Sequence, residues 1–263
     1  MPLEVLSHGP STPDPSHPPL LFVHGSYCAA WVWAEHFLPY FARHGFAGHA
    51  VSLRGHGCSD GALTLASLDD YIEDVIAVAG ELPAPPVVVG HSMGGLVVQH
   101  VLARHPVAAG ILLASVPPSG LAASALHMAA FAPDVLFQLG LLQTMGPAAV
   151  SPEIVHHAFF SRLTPTEAVV HLMPRLQGES QRVSADLLCP PAPRLIDGQV
   201  PPVLVVGGDA DLFLPVSALE ETAALFKGEL RILQGAPHGL MLDHAWWQPT
   251  ADEMIAWLTA KGF

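Results

Sequence analysis

The stretch Val87-Val88-Val89-Gly90-His91-Ser92-Met93-Gly94-Gly95-Leu96 constrains the fold more than any other part of the chain. Three β-branched residues in a row suit a strand buried on both faces of a parallel sheet. A helix-like apolar run follows from Leu96 to His105. Between the two, Gly-His-Ser-Met-Gly must turn the chain within a few residues. A serine at so sharp a turn is held in a strained backbone conformation, and only small neighbours leave it room, hence Gly90 and Gly94. The serine then stands above the sheet edge at a helix N-terminus, where the dipole favours developing negative charge. The same five residues also describe an ordinary glycine-bordered turn, so the rest of the chain has to decide.

Length and composition narrow the classes. A chain of 263 residues suits one domain, with room for an inserted lobe and a sizeable core. It is apolar, with 51% hydrophobic and 13% charged residues, and its net charge of −13 leaves no basic patch for nucleic acid or an anionic membrane. Met1-Pro2-Leu3-Glu4 has neither a basic nor an apolar leader region, so no secretory signal is expected. Cys28, Cys58 and Cys189 are odd in number and widely spaced, which argues against a disulfide framework and for a reducing cytoplasm. Of the sixteen histidines, most are expected on the surface or in loops. His156-His157 are adjacent and no H-E-x-x-H occurs, so neither a metal nor any other cofactor is expected.

Taken in order, Leu3–Leu6, Leu20–Val23, His49–Leu53, Val87–Val89, Gly110–Val116, Val203–Val206 and Leu230–Leu233 read as strands. Helices are expected over 31–44, 67–82, 96–105, 218–226 and 243–260, with a Pro- and Ser-rich loop from His8 to Pro19. Asp69, Asp70, Glu73 and Asp74 give the second of these helices an acidic face that reads as solvated. Asp243 and His244 are expected to cap the last helix. From Pro117 to about Val200 strand signal disappears, and prolines divide apolar helical segments. Leu121–Leu142 approaches the length of a membrane span, but Pro133-Asp134 interrupts it and His127 and Gln138 dilute it, so it reads as two cap helices. Alternating strands and helices at both ends predict an α/β fold with a mostly parallel sheet covered on both faces. The expected core is 1–116 with 201–263, and 117–200 is the expected helical insertion.

Three polar candidates fall just past the ends of separate strands: Ser92, then Asp209 or Asp211, then His238. Open α/β sheets bind ligands at that edge. The order Ser…Asp…His, the Gly90–Gly94 elbow, His24-Gly25, Arg54-Gly55-His56-Gly57-Cys58-Ser59, the Gly207–Asp211 turn before Pro215, and Gly235-Ala236-Pro237-His238 together resemble the α/β-hydrolase superfamily over essentially the whole chain. The likeness is greatest to small bacterial esterases and cofactor-free haloperoxidase-like members with a helical cap. It implies an α/β-hydrolase fold with Ser92 as nucleophile, His238 as base and an acid that orients the imidazole. Asp211 is favoured over Asp209, because in similar hydrolases the acid commonly lies four residues before a proline, here Pro215. Asp209 then reads as a turn residue. The Met93 N–H and an N–H from Ser26 or Tyr27 are the expected oxyanion hole. Tyr27, Phe131 and Phe137 are the expected pocket residues. His91 reads as a packing or hydrogen-bonding residue turned away from the attack site. Nothing around Cys28 suggests a lowered pKa.

The resemblance implies a serine hydrolase that cleaves a carboxylic ester of an apolar small molecule through an acyl-enzyme. A C–C hydrolase or lactonase with the same triad, peracid formation, and a non-catalytic small-molecule receptor remain as alternatives. Ser92 argues against the Asp-nucleophile epoxide hydrolases and dehalogenases. The apolar cap leaves a homodimer open.

Overall fold

The computed structural model describes residues 1–12, 17–195 and 200–263. The interior of the expected His8–Pro19 loop and the end of the expected 117–200 insertion therefore lie outside the described residues. Seven strands form one sheet: β1 (Val5–His8), β2 (Leu20–Val23), β3 (Gly48–Val51), β4 (Val87–His91), β5 (Ala109–Leu113), β6 (Val203–Gly208) and β7 (Glu229–Leu233). Their order is β1-β3-β2-β4-β5-β6-β7. Only β1 runs antiparallel to its neighbour. The two central strands β2 and β4 are buried at every position, which explains their unbroken apolar sequences.

Helices cover both faces. On one side lie α1 (Trp31–Ala34), α2 (Phe37–Arg43) and α11 (Trp247–Ala260). Phe22, alternating along β2 with Leu21 and Val23, meets Trp33, Phe37 and Phe41 there. On the other side lie α3 (Leu68–Glu81), α4 (Met93–Arg104) and α10 (Val216–Phe226), and they receive Leu21, Val23 and Val88. Burying one such side chain contributes roughly 1.5–3 kcal/mol. Ser67 begins α3 with a capping box, its hydroxyl accepting from the Asp70 N–H.

Two helix expectations change, for the same reason. The single helix expected over 31–44 is two, because Pro39 has no N–H to give Glu35 and its ring collides with that carbonyl. His36 accordingly leaves helical geometry at φ −133°. Likewise α11 begins at Trp247, two residues before Pro249, and not at Asp243.

Among the described residues, five α-helices stand between β5 and β6: α5 (Ala122–Phe131), α6 (Pro133–Met145), α7 (Pro152–Phe159), α8 (Thr166–Leu172) and α9 (Gln181–Leu188). The 121–142 stretch is thus two helices parted at Pro133. No helix among the described residues is long and apolar enough to cross a membrane.

Candidate active site

Ser92 sits between β4 and α4 with φ 54° and ψ −118°, outside the ordinary regions for a side-chain-bearing residue. Its N–H donates to Leu113 O at 3.0 Å, and its carbonyl accepts from Gly95 N at 3.0 Å and Val116 N at 3.1 Å. The flanking glycines are obligatory. A Cβ on Gly90 would stand 2.3 Å from Gly94 O, and one on Gly94 would stand 2.4 Å from His24 O. The elbow is therefore wedged between its own helix and the turn after β2.

The loop after β7 brings His238 to the same edge, and the loop after β6 brings Asp211. His238 Nδ1 lies 2.6 Å from Asp211 Oδ2, with both side chains buried. A carboxylate only accepts, so Nδ1 carries the hydrogen and Nε2 presents a lone pair. The other Asp211 oxygen accepts from Phe213 N at 2.8 Å and Leu214 N at 3.0 Å, which fixes the carboxylate plane. Asp209 is exposed and accepts from Gly235 N at 2.5 Å, tying two loop ends together. Rings of His91, Phe159 and Phe213 enclose the His238 imidazole at centroid distances of 4.8, 5.5 and 4.9 Å.

Ser92, His238, Ser26, Tyr27 and Met93 all line one cavity of about 350 Å³ between the sheet edge and the inserted helices. Met93 is the first residue of α4, so its N–H has no acceptor within the helix. The Ser26 hydroxyl donates to Met93 Sδ at 3.3 Å, joining the turn after β2 to the elbow. Tyr27 holds φ 64° and donates its hydroxyl to Gln143 Oε1.

Phe131 and Phe137 require correction. They are 76% and 63% exposed and do not line the cavity. The same helices turn Met128, Leu136 and Leu139 inward in their place. The few polar residues of α5 and α6 are scattered around both helices, so the sequence offers no period that marks the inner face.

Some polar groups differ from expectation. Eleven of the sixteen histidines are at least partly exposed, and five are buried: His24, His56, His91, His100 and His238. Burial, reinforced by His56, pushes the His24 imidazole down to about 3. Burial and then the neighbouring His238 do the same to His91. His91 faces the cavity and also bonds the His238 backbone. Cys28 lines the cavity too, but burial pushes its thiol up to about 12, which leaves no thiolate. Asp74 is buried, not solvated, and pairs with Arg54 Nη2 at 2.6 Å. His56 stands 3.5 Å from Glu179 Oε2, and Glu179 Oε1 accepts from Tyr71 Oη at 2.7 Å. The residues before α9 are thereby tied to the turn after β3. Asp243 does not cap α11; its carboxylate accepts from Ser161 N, Ser161 Oγ, Thr164 Oγ1 and Ala245 N.

Among the described residues, no group of three or more His, Cys, Asp or Glu side chains is placed to hold a metal ion.

This chain belongs to the alpha/beta hydrolase family, whose model matches residues 20–252. A bifunctional esterase/perhydrolase of Acinetobacter calcoaceticus is 37% identical over 105 residues, which is 38% of this chain and 38% of the relative. The chain thus spans little more than a third of that relative's length. A pimeloyl-[acyl-carrier protein] methyl ester esterase of Xylella fastidiosa is 25% identical over 262 residues, 92% of this chain and 93% of the other. Among solved structures, a thermophilic esterase from Thermogutta terrifontis superposes with a TM-score of 0.75 at 17% identity, over 99% of this chain and 94% of that one. That likeness shows the shared fold.

Proposed function

We propose that this protein is a serine hydrolase that cleaves a carboxylic ester with an apolar acyl or alcohol part. The observation that carries the reading is the His238–Asp211 bond of 2.6 Å, with the carboxylate's second oxygen locked by two backbone N–H groups. An imidazole so oriented presents Nε2 to the cavity that Ser92 also lines. In the first half-reaction Ser92 Oγ attacks the ester carbonyl and His238 Nε2 takes its proton. That proton then goes to the departing alkoxide. General-base help of this kind is typically worth ~10² to 10⁴ in rate. The N–H groups of Met93 and of Ser26 or Tyr27 hold the tetrahedral oxyanion, each donor contributing roughly 3–4 kcal/mol. Water, deprotonated by the same imidazole, then releases the acid from the acyl-enzyme.

The apolar wall supports an uncharged substrate, since among the described residues no Lys or Arg lines the cavity to receive a carboxylate or phosphate. The likeness to esterases of Acinetobacter and Xylella supports ester chemistry over a receptor role. The inserted helices, acting as a cap, supply Met128, Leu136, Leu139, Phe159 and Leu187 to that wall.

The test is a fluorophosphonate probe together with a p-nitrophenyl ester series. The expected result is a label on Ser92 with ester turnover, both lost in a folded Ser92→Ala variant. Turnover retained by that variant overturns Ser92 as nucleophile. A folded wild-type protein with neither label nor turnover overturns the hydrolase reading.

A further inference from the structure

Among the described residues, four hydroxyl-bearing side chains line the cavity: Ser26, Tyr27, Ser92 and Ser184. Two of these hydroxyls are taken up by oxygen. Tyr27 donates to Gln143 Oε1, and Ser184 Oγ lies 2.8 Å from the same oxygen and 2.9 Å from Ser180 O. Ser92 is the proposed nucleophile. The Ser26 hydroxyl is left with Met93 Sδ at 3.3 Å. A thioether is a weak acceptor, so that bond yields to a better one. Ser26 is partly exposed and lines the cavity, which leaves it open to a ligand there.

Its turn is also pressed against the nucleophile. A Cβ on Gly25 would stand 3.1 Å from Ser92 Cβ and 3.0 Å from His91 Nδ1, so only a glycine lets the turn approach so closely. Ser26 follows directly, and its hydroxyl touches the side chain of Met93, the residue after the serine. Covalent geometry keeps Oγ about 3 Å from the Ser26 nitrogen in two of the three staggered rotamers. An oxygen held by the Ser26 N–H is therefore within reach of Oγ after rotation about one bond.

We propose that the Ser26 hydroxyl is a third donor to the tetrahedral oxyanion, which makes Ser26 a catalytic residue through its side chain. The proposal rests on the ester-hydrolase reading. In the free enzyme the hydroxyl donates to sulfur. When Ser92 attacks, the ester oxygen takes on negative charge, and the hydroxyl turns from Met93 Sδ to donate to it. The hydroxyl keeps its proton, and no covalent bond of Ser26 is made or broken. A hydrogen bond to a charged oxygen is roughly twice as strong as one to a neutral carbonyl. The donor therefore acts on the transition state more than on the bound ester, and raises kcat more than it tightens binding.

Ser26→Ala separates this donor from the main-chain one, because it removes the hydroxyl and keeps the N–H. Its kcat for p-nitrophenyl hexanoate is expected to fall roughly 10- to 100-fold. An alkyl trifluoromethyl ketone reads the same interaction directly. Ser92 Oγ adds to the ketone carbon, His238 takes the serine proton, and the ketone oxygen becomes an anion where the ester oxyanion forms. Its Ki is expected to rise by a similar factor in Ser26→Ala. Adding Ser26→Ala to Ser92→Ala protein is expected to change the Kd of the hexanoate ester by less than about twofold. Ser26→Thr keeps a hydroxyl and is expected to recover most of the loss. A folded Ser26→Ala enzyme whose Ki stays within about twofold of wild type overturns the third donor, whatever its kcat. If Ser26→Ala does not fold, a crystal structure of the wild-type trifluoromethyl ketone adduct decides. Oγ within about 3.2 Å of the adduct oxygen upholds the donor, and Oγ still on Met93 Sδ overturns it while the ester-hydrolase reading stands. Wild-type protein that neither hydrolyses esters nor forms the adduct fails that reading, and the third donor with it.

Discussion

His91 Nε2 lies 3.0 Å from the main-chain oxygen of His238, so the residue beside the serine grips the backbone of the residue proposed as its base. The oxygen can only accept, so Nε2 carries the hydrogen. With its pKa held near 3, chiefly by burial, His91 stays neutral at any working pH and does not compete for the proton. Its role is to hold the His238 loop against the elbow. Loss of this donor in His91→Phe is expected to lower kcat by roughly tenfold with little change in KM, since a small misplacement of a base is costly. His91→Gln, which keeps an N–H donor on a similar reach, is expected to recover most of the loss. Steady-state kinetics with a melting curve on each variant checks this. A folded His91→Phe enzyme with unaltered kcat removes the grip from the mechanism.

The two aspartates near β6 offer a sharper comparison. Asp211 is buried against His238, and Asp209 is exposed and spans two loop ends. Asp211→Asn leaves the shape but offers an amide N–H or a weaker acceptor to Nδ1, which disturbs the imidazole tautomer. It is expected to lower kcat by about 10²-fold or more, whereas Asp209→Asn stays within about threefold. Measured kcat in the reverse order would transfer the acid role to Asp209.

Stability should fall on mild acidification. His24 and His91 both titrate near 3 in the folded protein, against 6.5 for an unperturbed imidazole. Above 6.5 neither state is protonated at these sites, so the contribution is complete. Between 6.5 and about 3 the unfolded chain takes up a proton that the folded one refuses, at about 1.4 kcal/mol per pH unit for each histidine. For Glu179, burial alone would raise the pKa, but the His56 bond and charge override it and hold the carboxyl below its usual value. Its contribution is present above the unfolded carboxylate range and is lost as pH falls below it, so it adds to the decline at lower pH. Urea midpoints taken from pH 7 to pH 5 should therefore decrease steadily. A flat profile would mean that the two buried imidazoles are protonated in the folded state.

The sheet and the candidate site were legible because each leaves a local mark. β2 and β4 are unbroken apolar runs, Gly90 and Gly94 bracket Ser92, and Asp211 and His238 follow strands directly. The inserted helices leave no such mark. Phe131 and Phe137 point outward from helices whose apolar residues follow no clear face, so neither period nor residue type distinguishes them from Leu136 and Leu139. Asp74 reads in the sequence as a solvated charge and Asp243 as a helix cap, and Glu179 carries no mark of its own. Their partners Arg54, His56 and Ser161 are distant in the chain, and no window of sequence contains both members of a pair. The division of the 31–44 segment was within reach, since Pro39 forbids a continuous helix through Glu35.

The corrected cavity wall makes its own prediction. Leu139 lines the cavity, and Phe131 does not. Leu139→Ala opens space and is expected to move the optimum of an acyl-chain series to longer chains. Phe131→Ala and Phe137→Ala, on the exposed side, are expected to leave the optimum where it is. A p-nitrophenyl ester series from acetate to decanoate reads all three. A shift caused by Phe131→Ala would show that the outer face of α5 meets the substrate.

Asp243 fastens the inserted helices to the histidine loop, and its removal should be felt in both. The side chain is fully buried. Oδ2 accepts from Ser161 N at 2.6 Å and Thr164 Oγ1 at 2.9 Å, and Oδ1 from Ser161 Oγ at 3.1 Å and Ala245 N at 2.9 Å. Thr164 in turn accepts from His244 N at 3.0 Å, and Gly239 N donates to Phe159 O at 2.8 Å. The connection between α7 and α8 is thereby sewn to residues 239–245, with the Phe159 ring set against His238. Asp243→Ala leaves several buried donors unpaired and is expected to cost about 3 kcal/mol in chemical denaturation. Asp243→Asn cannot restore the fit, because its NH₂ would face a donor whichever way the amide turns. Both variants should also lose kcat, as Phe159 no longer confines the imidazole. A loss below about 1 kcal/mol would assign the attachment to the Phe159–Phe213 contact, whose rings lie 4.8 Å apart, and leave the carboxylate a minor part of it.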